Sequence, residues 1–252
     1  MHRASPAKSV YDKRFFAYSS RLSPSSAEAV VPVLRELLPD VKSVVDVGCA
    51  RGVWLNEWKV NGVDDLQGVD GEYVDKDALV IPRVAFHAQD LNESIDLGRS
   101  FDLACSLEVA EHLQPKNSER FVESLARHAK VILFSAAPPG QGGESHINEQ
   151  SLEFWRDLFS RQGYAAYDCV RNRIAHMDHV LYWYRYNIIL YVHCDVESEL
   201  PTAIRENRIM DDRRISDISP LLFKLRKFII RNLPSRLQNA LARAKAKIYI
   251  FR

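Results

Sequence analysis

The chain is poor in cysteine: Cys49, Cys105, Cys169 and Cys194 are its only four, and no two form a C-x-x-C pair. That excludes a disulfide frame and a cysteine-ligated zinc site, and it makes reduced thiols in a cytoplasmic protein the expectation. No apolar run approaches the roughly 20 residues that span a bilayer, and the opening Met1-His-Arg-Ala-Ser-Pro-Ala-Lys has no apolar stretch of the kind a signal peptide needs. A formal net charge of +1 argues against a globally basic nucleic-acid binder. Internal repeats are absent, which removes the solenoid architectures. The ten glycines never fall in a G-x-G-x-x-G spacing, so the dinucleotide fingerprint is missing too.

What is present is a 252-residue chain, 46% hydrophobic and 27% charged, enough for one full core with appendages. Its sharpest feature is Ser43-Val-Val-Asp-Val-Gly-Cys-Ala-Arg-Gly52, a short apolar run that ends in an acid and a glycine-bearing turn ahead of a helical pattern. Such a turn at a helix start presents backbone N–H groups and lets a polar, nucleotide-like ligand approach the main chain closely. A second strand, Leu66-Gln-Gly-Val-Asp70-Gly71, also ends in an acid, placed to accept the two hydrogen bonds of a ribose diol. Further strands are read at Val84-Ala-Phe-His-Ala-Gln-Asp90-Leu91, Phe101-Asp-Leu-Ala-Cys-Ser106-Leu107 and Val131-Ile-Leu-Phe-Ser135, alternating with helices. A leading helix is expected over 25–38 with Ser25 or Ser26 as cap, a later one over 151–162, and two last strands over 164–170 and 187–193. The alternation predicts an α/β fold: a Rossmann-like, seven-stranded, mostly parallel sheet with an antiparallel last hairpin in three αβα layers.

The first motif resembles that of class I S-adenosylmethionine-dependent methyltransferases, acid-x-Gly-x-Gly-x-Gly, matched by Asp46, Gly48 and Gly52, with Ala50 at the middle glycine. The resemblance covers residues 10–195 and implies S-adenosylmethionine as cofactor. It assigns Asp46, Gly48, Cys49, Ala50, Gly52, Asp70, Gly71, Asp90, Leu91, Ser106 and Leu107 to the cofactor, with Asp90 and Leu91 at the adenine. More narrowly, Ser106-Leu-Glu-Val-Ala-Glu-His-Leu, Leu133-Phe-Ser-Ala-Ala-Pro-Pro-Gly-Gln-Gly-Gly and His146-Ile-Asn-Glu-Gln are similar to bacterial methyltransferase-domain proteins of glycan or natural-product assembly.

The acceptor side centres on Glu108, Glu111 and His112. A helix starting near Ser106 would set all three on one face, close enough to converge on one ion. The E-x-x-E-H pattern is similar to that of ubiquinone-biosynthesis O-methyltransferases and small-RNA 3′-end 2′-O-methyltransferases, where it implies a divalent metal, with His146 completing the set here. Two carboxylates and two imidazoles suit manganese, iron or zinc better than magnesium. Three readings stay open: a metal at Glu108, Glu111, His112 and His146; metal-free catalysis by His112, His146 and Glu111; and a purely structural cluster.

Gly140, Gly142 and Gly143 read as a flexible loop over the site. His176, His179, Tyr182, Trp183, Tyr184 and Tyr186 form an aromatic insert, for stacking on an acceptor or for packing. Tyr11, Phe15, Phe16 and Tyr18 are either a lid over the cofactor or an ordered arm. Residues 221–252 carry nine Lys/Arg and no acid, against 25 basic and 33 acidic groups elsewhere, a body of net −8. Their apolar spacing predicts two short amphipathic helices, for an anionic membrane surface, an acidic partner, the protein's own body or a homodimer contact.

The expected organisation is an arm or lid over 1–24, a methyltransferase domain over 25–196, and a charged linker with a basic helical tail over 197–252. The expected activity is O-methylation of a sugar or other small metabolite, with nucleic acid disfavoured as partner. An RNA 2′-O-methyltransferase and a non-catalytic partner-binding module are the alternatives.

Overall fold

The computed structural model describes residues 13–234 and residues 237, 240 and 241, with side chains from residue 23 onward. Seven strands, β1 (Ser43–Val47), β2 (Asp65–Asp70), β3 (Phe86–Ala88), β4 (Leu103–Leu107), β5 (Val131–Ser135), β6 (Tyr164–Tyr167) and β7 (Ile189–His193), form one sheet in the order β3-β2-β1-β4-β5-β7-β6. Only β7 runs antiparallel, inserted between β5 and β6. Among the described residues the sheet is surrounded by helices α1 (Lys13–Leu37), α2 (Val53–Val60), α3 (Ser118–His128), α4 (Leu152–Arg161), α5 (Arg171–Ile174), α6 (Tyr182–Asn187), α7 (Thr202–Arg205) and α8 (Leu221–Arg231).

Alternation along the strands makes two cores. Val44, Leu103, Cys105, Leu133, Leu190 and Val192 pack with α1 and α2 on one face. Val45, Ala104, Ile132, Phe134, Ile189 and Tyr191 pack with α3 and α4 on the other. Period-two alternation between two covered faces is what makes the strands apolar throughout. The strand order reverses direction at β1 and β4, which pair Asp46 with Cys105, so a crevice opens beyond their carboxyl ends.

One expectation is corrected. The leading helix has no cap at Ser25 or Ser26, because α1 already begins at Lys13 and carries Pro24 within it. Ser26 is buried, and its hydroxyl accepts from the Leu181 N–H at 3.0 Å. The charged segment 197–220, expected as a solvated linker or helix, is largely exposed and carries the short α7, yet it also meets the sheet. Asp168 N donates to Asn207 O and Ile209 N to Ala166 O, both at 2.9 Å, so this segment lines the outer edge of β6. Covering that edge removes unpaired backbone groups from solvent. The Arg156 guanidinium donates to the carbonyls of Arg213 and Met210, and Ile215 enters the second core. Tyr11 lies outside the described residues, as do the side chains of Phe15, Phe16 and Tyr18. Among the described residues no helix is long and apolar enough to cross a membrane.

Arg171 ties these parts together. Fully buried, it bonds both Asp168 oxygens at 2.8 and 2.6 Å and the carbonyls of Tyr186 and Ser216 at 3.0 Å each. Removing one member of a buried pair leaves the other charge and two carbonyls without their donor. Arg171→Ala should therefore lower unfolding free energy by about 3 kcal/mol in urea titration; a change within 0.5 kcal/mol would show that the clamp is dispensable.

Candidate active site

The turn after β1 is built from left-handed residues: Gly48 at φ 90°, Ala50 at 48° and Gly52 at 84°. Glycine is needed twice over, since a Cβ on Gly48 would sit 2.3 Å from Val109 and one on Gly52 2.8 Å from Ile81. Ala50 occupies the same backbone region at some strain. Four amides of the turn are engaged within the protein. Gly48 N and Cys49 N donate to Val69 O, Gly52 N to Cys49 O, and Ala50 N to Asp70 Oδ2 at 2.7 Å. With these four amides engaged, what the left-handed glycines offer is close approach.

Asp70 ends β2 almost fully buried. Its carboxylate accepts from Ala50 N (2.7 Å), Gly71 N (2.7 Å) and Tyr73 Oη (2.6 Å). Three of its roughly four acceptor positions are filled, one of them by a hydroxyl on a partly exposed ring that covers Gly71. Asp46 is buried nearby; burial, then the Asp70 charge, pushes its carboxyl up to about 8. Burial likewise raises Asp70, against its three donors, and drives the Cys49 and Cys105 thiols well above their ordinary range, so neither serves as a nucleophile.

Beyond β4 the chain does not enter an α-helix. Glu108 N is captured by Ser135 O (2.9 Å) and Ser135 Oγ (3.2 Å), Glu108 takes φ 57°, and one 3₁₀ turn spans Ala110–His112. The four acceptor-side residues therefore divide. Glu108 turns to two amides, accepting from Gln141 Nε2 at 2.6 Å and Asn187 Nδ2 at 3.2 Å, and Asn187 also donates to Gln141 Oε1 at 2.8 Å. Glu111, His112 and His146 form the other group, with ligand atoms within 4.8 Å of one another. Glu108 is thereby removed from the expected metal set.

Within that group the Glu111 carboxylate is fully buried and makes no hydrogen bond of ordinary geometry, although the Glu111 and Ala137 amides lie nearby. Burial, then the Glu108 charge, raises it well above the carboxylate range. His112 Nδ1–H donates to Ser145 O at 3.3 Å, and burial together with His146 lowers it to about 3, so it stays neutral. His146 Nδ1 pairs with Glu149 Oε1 at 2.8 Å, leaving Nε2 4.0 Å from Glu111.

Glu149 also accepts from Gly140 N and Gly142 N, at 2.7 and 2.8 Å. The glycine loop is consequently pinned and not free over the site. Asn148 donates to Ala110 O and Ser118 Oγ, and Ile147 N and Asn148 N donate to Glu111 O, which locks this loop to the turn after β4. The three non-glycine residues with left-handed backbone among those described, Ala50, Glu108 and Ser145, all belong to this end of the sheet. That concentration of strained backbone makes this end of the sheet the candidate site.

A sequence profile described as a methyltransferase domain matches residues 20–172. The chain belongs to this methyltransferase-domain family. The methyltransferase has the class I fold, and solved structures agree in architecture. Against the sugar N-methyltransferase KedS8 from Streptoalloteichus sp ATCC 53650 the identity is 20%, the cover 77% of this chain and 99% of that one, and the TM-score 0.55. Streptomyces venezuelae DesVI gives 14%, 71% and 95%, with a TM-score of 0.51. Magnesium protoporphyrin IX methyltransferase (ChlM) from Synechocystis PCC 6803, solved with S-adenosylhomocysteine (SAH), gives 17%, 71% and 93%, with 0.50. No curated protein sequence matches the chain.

The residues fit S-adenosylmethionine. The left-handed glycine turn suits close approach of a nucleoside-bearing cofactor, and the buried Asp46 and Asp70 suit one that carries positive charge. Asp46, Gly48, Cys49, Ala50, Gly52, Asp70 and Gly71 lie at the ends of β1 and β2. Asp90 is exposed just past β3, accepting from Asn92, beside the buried Leu91. Ser106 and Leu107 close β4, and the buried Ser106 hydroxyl has no hydrogen-bond partner among the described residues. Tyr73, Gln141, Glu149 and Asn187 were not assigned from the sequence. Only Glu149 left a readable trace, a carboxylate three residues from a histidine. The aromatic insert is largely packing: Tyr184 meets Trp54 edge-on at 5.0 Å, and Tyr182 and Tyr186 meet Phe223.

Asp46, Asp70, Glu108 and Glu111 are all held above the ordinary carboxylate range, so the folded protein keeps protons that the unfolded chain releases. The stability tied to them is full below about pH 4 and is lost as pH rises, for Asp46 through about 8. Melting temperature should fall between pH 6 and pH 9, and Asp46→Asn should flatten that fall. An equal fall in the variant would show that Asp46 is ionised throughout.

Proposed function

We propose that the methyltransferase transfers a methyl group from S-adenosylmethionine to a hydroxyl of a sugar or other small metabolite in the cytoplasm, with His146 as general base. The observation that carries this reading is the His146–Glu149 pair. With Nδ1–H donated to Glu149, the basic lone pair sits on Nε2, in a pocket where the histidine side chain is 11% exposed. When bound, S-adenosylmethionine supplies an electrophilic methyl carbon on a sulfonium sulfur. The acceptor oxygen forms the new bond to carbon, the old bond's electron pair stays with sulfur, and the hydroxyl proton passes to His146 Nε2.

A hydroxyl acceptor is preferred because a neutral amine attacks without prior loss of a proton, whereas an alcohol needs a base at the moment of attack. Sugar as the acceptor class is supported by KedS8, described as a sugar N-methyltransferase. The body of net −8 disfavours RNA, whose phosphates it would repel.

A second reading rests on the Glu111 carboxylate, which burial leaves without an ordinary hydrogen bond. One carboxylate and two imidazoles, Glu111, His112 and His146, suit manganese, iron or zinc, with magnesium less apt. The Glu149 bond to His146 Nδ1 is the support that metal-bound histidines usually have. Such an ion would lower the pKa of an acceptor hydroxyl.

Release of SAH over a panel of hydroxylated sugars tests both. His146→Ala should cut kcat by about 10² to 10⁴ while SAH affinity stays unchanged, and Glu149→Gln should cut it by about tenfold. Undiminished turnover in His146→Ala would end the general-base assignment. Loss of turnover with EDTA, restored by Mn²⁺, together with calorimetric Mn²⁺ binding that Glu111→Gln abolishes, would select the metal reading. Turnover indifferent to EDTA, with no Mn²⁺ heat, would exclude it.

A further inference from the structure

Helix α8 is docked with its usual sidedness reversed. Its inward face carries two cations: Lys227 is buried with Nζ on Asp217 Oδ2 at 2.6 Å, and Arg226 Nη1 donates to Gln141 O at 3.0 Å. Backbone contact is close, since a Cβ on Gly140 would lie 2.1 Å from Lys227 O. Phe223 against Tyr182 and Tyr186, at 4.6 and 5.8 Å, and Ile230 beside Gly142 complete this face. The outward face is apolar: Leu221 and Leu222 are each 80% exposed, and Leu225, Phe228 and Ile229 just over half. At 100° per residue these five share one arc of about 120°. Exposed Lys224 borders it on one side and Arg226 on the other. Leu237 and Leu241 are also about half exposed.

Leaving five large apolar side chains in water on one helix face is unfavourable, and contiguous patches of this kind mark an interaction surface. Charge decides what covers it. Residues 221–252 hold nine Lys/Arg and no acid. An apolar helical stripe flanked by cations matches an anionic lipid surface, where the stripe enters the acyl boundary and each nearby cation adds to the attraction.

We propose that the outward face of α8 docks the protein on an anionic membrane surface. Because α8 rests on Gly140, Gln141, Tyr182 and Tyr186, the bilayer then lies beside the acceptor-side loops, and the acceptor is met at the lipid interface. This placement of the acceptor rests on the methyl-transfer reading; the docking itself does not.

The test is co-sedimentation of the full chain with vesicles of phosphatidylcholine alone or with about 30% phosphatidylglycerol, alongside calorimetry with SAH. Expected are pelleting only with the anionic vesicles, loss in high salt, and an at least ~10-fold weaker partition for L222S/F228S. SAH affinity should be unchanged in that variant, and α8 amides should gain hydrogen-exchange protection on vesicles. Wild-type protein that stays in the supernatant with both vesicles, or an L222S/F228S variant that pellets equally, overturns the proposal. So does a dimer in sedimentation velocity that L222S/F228S abolishes without any vesicle binding, which would give the face to a second copy. Absence of SAH binding in wild type would instead count against the methyl-transfer reading.

Discussion

The site depends on one carboxylate. Asp70 closes β2, and its bonds to Ala50 N, Gly71 N and Tyr73 Oη join the first loop, the second strand end and the segment after it into one rigid corner. Held under burial, such a network is stiff, and it fixes the corner relative to the sheet. The left-handed turn of Gly48, Ala50 and Gly52 is the covalent half of that corner. The topology supplies the rest, because reversal at β1 and β4 opens the crevice that the corner faces.

The acceptor side is assembled differently, by loops that hold one another. Glu111 O takes two amides from the loop after β5, and Asn148 donates back to Ala110 O in the turn after β4 and to Ser118 Oγ at the start of α3. Glu149 then orders both the glycine loop and the His146 ring. Three strained or buried elements, Glu108, Ser145 and the Glu111 carboxylate, persist there only because their surroundings over-determine them. The neutral His112 and the elevated Glu111 show how far burial sets the charge state of this pocket.

What could be read from the sequence was local. Short apolar runs identified the strands, and Asp46, Gly48, Gly52 and Asp70 were legible because a strand end, a left-handed turn and an acid have residue-type signatures. The helix expected from Ser106 failed because Ser135, far along the chain, captures Glu108 N. Gln141 and Asn187 escaped notice for the same reason: they reach Glu108 across 33 and 79 positions, a separation that no spacing rule reports. The tail's amphipathic stripe was legible, but its orientation was not, since that is set by Asp217 and the Gln141 carbonyl drawing Lys227 and Arg226 inward. The outer edge of β6 likewise recruited 207–209, which composition alone marks as solvated.

The most direct test of the Asp70 corner is calorimetric titration of the wild-type protein and Asp70→Ala with SAH, using NADH as a control ligand. Saturable one-to-one SAH binding in wild type, weakened at least tenfold in a folded Asp70→Ala protein and with no NADH heat, is the predicted result. Wild-type binding that survives Asp70→Ala unchanged would contradict the central role of the carboxylate. A folded wild-type protein that binds no SAH at all would contradict the cofactor assignment itself.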